Sequence, residues 1–290
     1  MASSRALCVS QDTGVRRAVG DALAVAGLVV EYCDALPAQA DEIALIVIDR
    51  ATRKLAGESL AELGVPVIIV GDNLDDDGLI AVMLEPPVSH LVGDLAADHD
   101  LQITSEKLVS GDLFGLEKYL GPCKVAERVI ADDAEKRRAM GEVCAWAEAI
   151  GTRRPIVHRL ASVVDELLMN ALHDAPTAGR SAPQRAVLRW ACDEQTLAVS
   201  VGDGFGALRQ RDVLDNLRRA RSERGRPRAV DETAGAGLGL YLVLANVASL
   251  IVNVTPGHRT EVVCLFDRAG TGRRAVTGNV RSLHVFEAAS

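Results

Sequence analysis

Two runs constrain the fold more than anything else in the chain. Ile43–Ile48 (IALIVI) and Val67–Val70 (VIIV) hold no polar side chain. Each is too short for a stable helix and is rich in the β-branched residues that favour strands. A strand that is apolar on both faces must be covered on both faces, as in a parallel sheet between two layers of helices. The residues around these runs agree with that. Val15–Ala26, Leu55–Leu63 and Leu79–Leu84 have helical periodicity, while Ala6–Ser10, Val29–Tyr32 and His90–Val92 read as further strands. The alternation predicts a doubly wound α/β unit over residues 1–115. Function in such sheets collects at the carboxyl ends of the strands. Asp12, Asp49 and Asp72 fall at those ends.

The second half of the chain has a different grammar. Val157–Pro176 places Leu160, Val163, Val164, Leu167, Leu168, Ala171 and Leu172 on one helical face. Glu166 and Asn170 lie one turn apart beside that face, so their side chains emerge together. Ala186–Cys192 and Thr196–Val201 read as an antiparallel hairpin across Asp193-Glu194-Gln195. The second strand runs into Gly202-Asp203-Gly204-Phe205-Gly206, a glycine-flanked carboxylate with room for a flat ligand. Arg209–Arg228 comes next with eight arginines and reads either as a solvated loop or as a lid over phosphates. Gly235, Gly237 and Gly239 then open a helical run, Tyr241–Leu250. They come after a polar loop rather than a strand, which excludes a dinucleotide-binding βαβ unit. A glycine loop feeding a helix start still suits phosphate. Leu250–Val254 and Thr260–Phe266 form a closing hairpin around Pro256-Gly257, and Ser282–Phe286 reads as an extra edge strand.

Between the halves, Leu101–Leu120 starts helical and breaks at Gly111-Asp112, where Asp112 is placed to cap the next short segment. Ala131–Ile150 is helical, Gly151 ends it, and Pro155 starts the next helix. No flexible spacer separates the halves.

Composition narrows the function classes. Hydrophobic residues make up 48% and aromatics 3%, so the core is aliphatic. The net charge of −8 is segregated: residues 1–120 carry 20 acidic and 8 basic side chains, and residues 121–290 carry 20 and 24. This balance argues against nucleic acid as a partner of the whole chain. The six cysteines are scattered with no CxxC pair, which suits small core residues in a reducing compartment and no metal cluster. The N-terminus lacks the pattern of a signal peptide. No stretch has the length of a membrane span. The expectation is a cytoplasmic protein with no membrane partner.

Glu166-x-x-x-Asn170 on a helix, Asp203-Gly-Phe-Gly206 after a strand and Gly235-x-Gly237-x-Gly239 before a helix succeed one another in an order that resembles the GHKL (histidine kinase-like) ATP-binding domain. The resemblance covers residues 140–268 and is nearest to the anti-sigma-factor serine kinases. It implies an α/β sandwich with ATP and Mg²⁺ as cofactors. Asn170 would hold Mg²⁺, and Glu166 would position or activate the nucleophile as the catalytic residue. Asp203 would accept from the adenine amine, Gly204 and Gly206 would line the base pocket, and Gly235, Gly237 and Gly239 would wrap the phosphates. The family spaces its Asp-x-Gly-x-Gly motif one residue longer than this chain does.

The first unit is similar to a response-regulator receiver domain, with Asp49 where that family carries its phosphoacceptor. The supporting residues differ: Ser10-Gln11-Asp12 replaces an acidic pair, Gly71 stands for a Ser or Thr, and Val92-Gly93-Asp94 replaces a Lys. The resemblance therefore implies a degenerate receiver used for docking or dimerisation, with Asp49 either phosphorylated or a plain strand-end carboxylate.

The expected organisation is a receiver-like domain over 1–115, a connector over 116–139 and a GHKL domain over 140–290. Taken together, the resemblances imply an ATP-binding bacterial signalling protein. It would phosphorylate Ser or Thr of a regulatory protein partner or sequester that partner, and a homodimer is compatible with both families. Two alternatives stay open. One is a non-catalytic, nucleotide-gated docking module. The other is an atypical histidine-kinase-like phosphorelay component, although no dimerisation hairpin and no His occur over 101–150, and His158 lies on the Glu166 helix itself.

Overall fold

The structure is a computed structural model. It describes residues 4–56, 59–71, 74, 76–93, 95, 99–174, 185–223, 238–268 and 282–288. The chain is mixed α/β and divides into two compact units, 1–113 with 281–284 and 114–280 with 285–290.

The first unit runs β1 (Arg5–Val9), α1 (Thr13–Val25), β2 (Val29–Cys33), β3 (Ile43–Asp49), α2 (Arg50–Ala56), α3 (Ser59–Glu62), β4 (Val67–Val70), α4 (Asp76–Met83), β5 (His90–Val92) and α5 (Asp100–Ser110). The strands lie in the order β2-β1-β3-β4-β5, all parallel. This is one of the doubly wound orders. One face buries Ala6, Cys8, Leu45, Val47, Ile68 and Val70 against Val19 and Leu23 of α1 and Leu101 of α5. The alternate residues Leu7, Val9, Ile46, Ile48, Ile69 and Leu91 are buried as well. Two-sided burial explains why the apolar runs show no alternation. Gly111, in the left-handed region at φ 72°, ends α5, where only glycine is free of a Cβ penalty. The Asp112 N–H donates to the Ser110 hydroxyl at 3.1 Å.

The second unit begins with a 3₁₀ turn (Leu116–Tyr119) and continues β6 (Ala126–Ile130), α6 (Asp133–Ala149), α7 (Arg154–Met169), a π-helical turn (Asn170–Asp174), β7 (Ala186–Cys192), β8 (Thr196–Asp203), α8 (Gln210–Glu223), α9 (Leu238–Asn246), β9 (Ser249–Thr255) and β10 (Arg259–Asp267). The sheet order is β9-β10-β8-β7-β6, antiparallel throughout. The expected connector, 116–139, carries the 3₁₀ turn, β6 and the first turns of α6, all within this unit. Asp132 caps α6 by accepting from the Glu135 N–H at 2.7 Å, and Glu135 reaches back to the Ala131 N–H, a variant of the capping box. The arginine-rich stretch is helical over Gln210–Glu223, with Val213 and Leu217 buried one turn apart; its remainder, 224–228, lies outside the described residues.

The last strand, β11 (Ser282–Glu287), pairs antiparallel with β5 through Ser282–His284 in the first unit. Its end belongs to the second unit, where the Ala288 N–H donates to the Val254 carbonyl and Glu287 accepts from Arg209 at 2.8 Å.

On β10, Glu261 is 1% exposed. Its carboxylate accepts from the Gly115 N–H at 2.8 Å, the Ser200 hydroxyl at 3.2 Å and the Asn253 amide at 3.2 Å. Arg259, two residues earlier, lies over the Phe114 ring. The segment ahead of the 3₁₀ turn is thus fastened to the sheet by a buried carboxylate. Glu261→Leu removes the acceptor that these three donors share. We expect it to lower stability in urea unfolding by roughly 2–3 kcal/mol, with Glu261→Gln costing less.

Candidate functional site

α7 owes its orientation to the apolar stripe Leu160, Val163, Val164, Leu167 and Leu168, all buried. Lys136 of α6, its stem buried, reaches Asp165 at 2.7 Å and fixes the adjoining face. Glu166 is half-buried and points at α9. A Cβ built on Gly239 would overlap the Glu166 carboxylate, so α9 approaches this closely only because position 239 has no side chain. The structure therefore brings Glu166 and Gly239 together from helices about seventy positions apart.

Asn170 closes α7. Its N–H still donates to the Glu166 carbonyl, so the two side chains keep their one-turn spacing, and the π-helical turn begins only there. Such turns recur at functional sites. This one also contacts β8, the strand that ends in Asp203. Nothing in the side-chain pattern announced it.

Asp203 accepts from the Phe205 N–H through Oδ1 at 2.7 Å, a local turn that fixes the carboxylate. A Cβ on Gly204 would meet nothing within 4 Å. Gly206 is different. It has φ 56°, packs against the β9–β10 turn, and its carbonyl accepts from the Gly257 N–H at 3.0 Å. A Cβ there would collide with the Thr255 carbonyl and come within 2.8 Å of the His258 and Arg259 N–H groups. Its described contacts are structural. Gly235 and Gly237 lie outside the described residues.

A Mg²⁺ site needs oxygen donors and few of them from protein, the rest coming from phosphate and water. Asn170 offers one amide oxygen. Among the described residues, no group of three or more His, Cys, Asp or Glu is placed to hold a metal. Asn170 would be one oxygen donor to an ion whose other ligands came from phosphate and water.

In the first unit, Asp49 takes the Thr52 N–H and the Thr52 hydroxyl, each at 2.8 Å, and also the Ser10 hydroxyl and the Ala51 N–H. Burial pushes its carboxyl up, but these hydrogen bonds outweigh burial and hold it below its ordinary value of 3.8. Asp12 caps α1, accepting from Gly14 and Val15 at 2.7 and 3.0 Å. Both carboxylates are thus engaged in starting helices. A Cβ on Gly71 would press on Arg50 at 3.2 Å, so any side chain there needs Arg50 to give way by a few tenths of an ångström. Asp72 and Asp94 lie outside the described residues.

No family model matches the chain, and no curated protein matches it.

Two measurements check this geometry. Gly239→Ala overpacks the α7–α9 contact and is expected to cost about 1–3 kcal/mol in thermal or urea unfolding. Glu166→Gly in the same chain should recover part of that loss. The Asp49 contribution is complete above pH 3.8 and is lost as pH falls through its lower folded value. Asp49→Ala should cost about 1 kcal/mol at neutral pH and flatten the stability–pH curve below pH 4, both read by urea unfolding.

Proposed function

We propose that the chain is a cytoplasmic, ATP-binding signalling protein of the GHKL kind that phosphorylates Ser or Thr of a protein partner or sequesters that partner. Its first unit is a receiver-like domain that works by docking rather than by phosphorylation of Asp49. The observation that carries the reading is the packing of Glu166 against Gly239. It joins the helix bearing the acidic residue and Asn170 to the start of the helix that comes after the glycine run, and Asp203 stands at the end of the strand behind them. The absence of a helix long and apolar enough to cross a membrane, among the described residues, is compatible with it.

In this reading Asp203, oriented by the Phe205 N–H, accepts from the exocyclic amine of adenine. The open space at Gly204 leaves room for the base. Asn170 supplies an oxygen to Mg²⁺, which when bound neutralises charge on the phosphates. Glu166 is held by its contact with Gly239 and orients or takes the proton of the partner's hydroxyl. The engaged carboxylates of Asp12 and Asp49 support docking over phosphorylation in the first unit.

Thermal shift with ATP, ADP and GTP, with and without Mg²⁺, tests the site. At a hundredfold excess over Kd, adenine nucleotides should stabilise the wild type by about 2.7 kcal/mol, and Asp203→Asn should lose that shift. Glu166→Ala should keep the shift and abolish phosphate transfer to the partner. Transfer that survives in Glu166→Ala would sink the kinase reading, and no shift with any nucleotide would sink the nucleotide site itself.

A further inference from the structure

β2 (Val29–Cys33) is the outermost strand of the first unit and pairs with β1 alone. The Val29 N–H donates to the Ser4 carbonyl, and the Cys33 carbonyl accepts from the Ser10 N–H. Positions 29, 31 and 33 therefore turn their backbone groups to β1, and Val30 and Tyr32 turn theirs outward. Such an edge is a template for a further strand unless charge guards it. β6, the edge of the second unit, has that guard in the exposed Glu127 and Arg128. β2 instead exposes Val29 and Tyr32, at 50% and 48%.

The two faces of β2 differ. Side chains alternate along a strand, so Val30 and Tyr32 share one face and Val29, Glu31 and Cys33 the other. On the first face, Val30 packs against the aliphatic core. Tyr32 reaches over to Gly20 of α1, where a Cβ would collide with its hydroxyl. On the second face, Arg5 of β1 pairs with both Glu31 and Glu42, so one cation serves two carboxylates. Residues 20–42 hold five acidic side chains and no Lys or Arg. A second copy would set this excess of carboxylate against itself. A segment that alternates apolar and basic residues fits both faces at once, and the stems of its Lys or Arg side chains can cover Val29.

We propose that β2 is a docking edge that takes up an extended segment of a partner protein as an added strand, with apolar side chains on the Tyr32 face and basic ones on the Glu31 face. This names the partner chemistry for the docking role of the first unit, and it rests on that reading and not on the nucleotide site. Main-chain hydrogen bonds to Val30 and Tyr32 supply the affinity, and the alternation sets the register. The acidic balance of the unit steers the approach, so binding weakens with salt.

Hydrogen exchange on the full chain with an alternating Val-Lys octapeptide tests this, with an alternating Val-Glu octapeptide beside it. With Val-Lys at about ten times its Kd, the Val30 and Tyr32 amides should gain roughly tenfold in protection. The amides of Val262–Leu265 in β10 should not change, and Val-Glu should give no gain. Tyr32→Lys, at an exposed position, should abolish the gain. No gain with Val-Lys in large excess, or an equal gain with Val-Glu, overturns the proposal whether or not the variant folds. So does protection of Val30 and Tyr32 that grows with protein concentration without peptide, as a second copy would give. A gain kept in folded Tyr32→Lys overturns it too. The readout involves no nucleotide, so a failed kinase reading leaves it intact, and failure here removes this edge but not docking elsewhere on the unit.

Discussion

The approach of α7 to α9 at Gly239 is the constraint on which the second unit turns. α9 reads LGLYLVLAN, apolar on nearly every side, and such a helix has to be enclosed. Leu240, Val243 and Leu244 are buried, with α7 and α8 packed against it. Position 239 carries no side chain to obstruct this enclosure, and the Glu166 carboxylate fills the place. A carboxylate in that position is set by packing rather than by solvent, and its partner one turn on, Asn170, shares its rigid base. Whatever chemistry the pair performs, its geometry comes from the aliphatic stripe of α7.

The first unit resolves a different demand. A parallel sheet delivers its strand ends and the starts of the next helices to one edge, where unpaired N–H groups need acceptors. Asp12 and Asp49 supply them, and Ser10 links the two by taking the Asp12 N–H and donating to Asp49. The edge that suits a reactive aspartate by topology is here bound up in capping. A side chain at position 71 would press on Arg50, whose Cβ lies 3.2 Å from where its Cβ would stand. Hydrogen bonding holds both described carboxylates of this edge in place.

The aliphatic runs of the first unit and the two hairpins of the second were legible because burial writes itself into hydrophobic periodicity. β6 was not, since AERVI is an exposed edge whose alternation is carried by Glu127 and Arg128, which meet Arg189 and Glu142. Charge on an edge strand protects it from further pairing and hides it from an apolar template. α8 was hidden likewise, because two buried residues among many arginines make a thin stripe. At the candidate site, Glu166, Asn170 and Asp203 could be named from motif order, but the close approach at Gly239 and the hairpin role of Gly206 could not. Those depend on which backbone lies nearby, and no local pattern records it. The pairing of β11 with β5 joins residues nearly two hundred positions apart and was equally invisible.

Two carboxylates of this protein, one buried and one half-buried, are held by neutral donors. Glu261 is met by an amide N–H, a hydroxyl and a carboxamide, and Asp49 by two N–H groups and two hydroxyls. None of these donors titrates between pH 5 and 8, so those arrangements persist across that range. Neutral donors hold a carboxylate without regard to proton supply, so the chemistry of the donors, rather than burial alone, makes these arrangements fixtures.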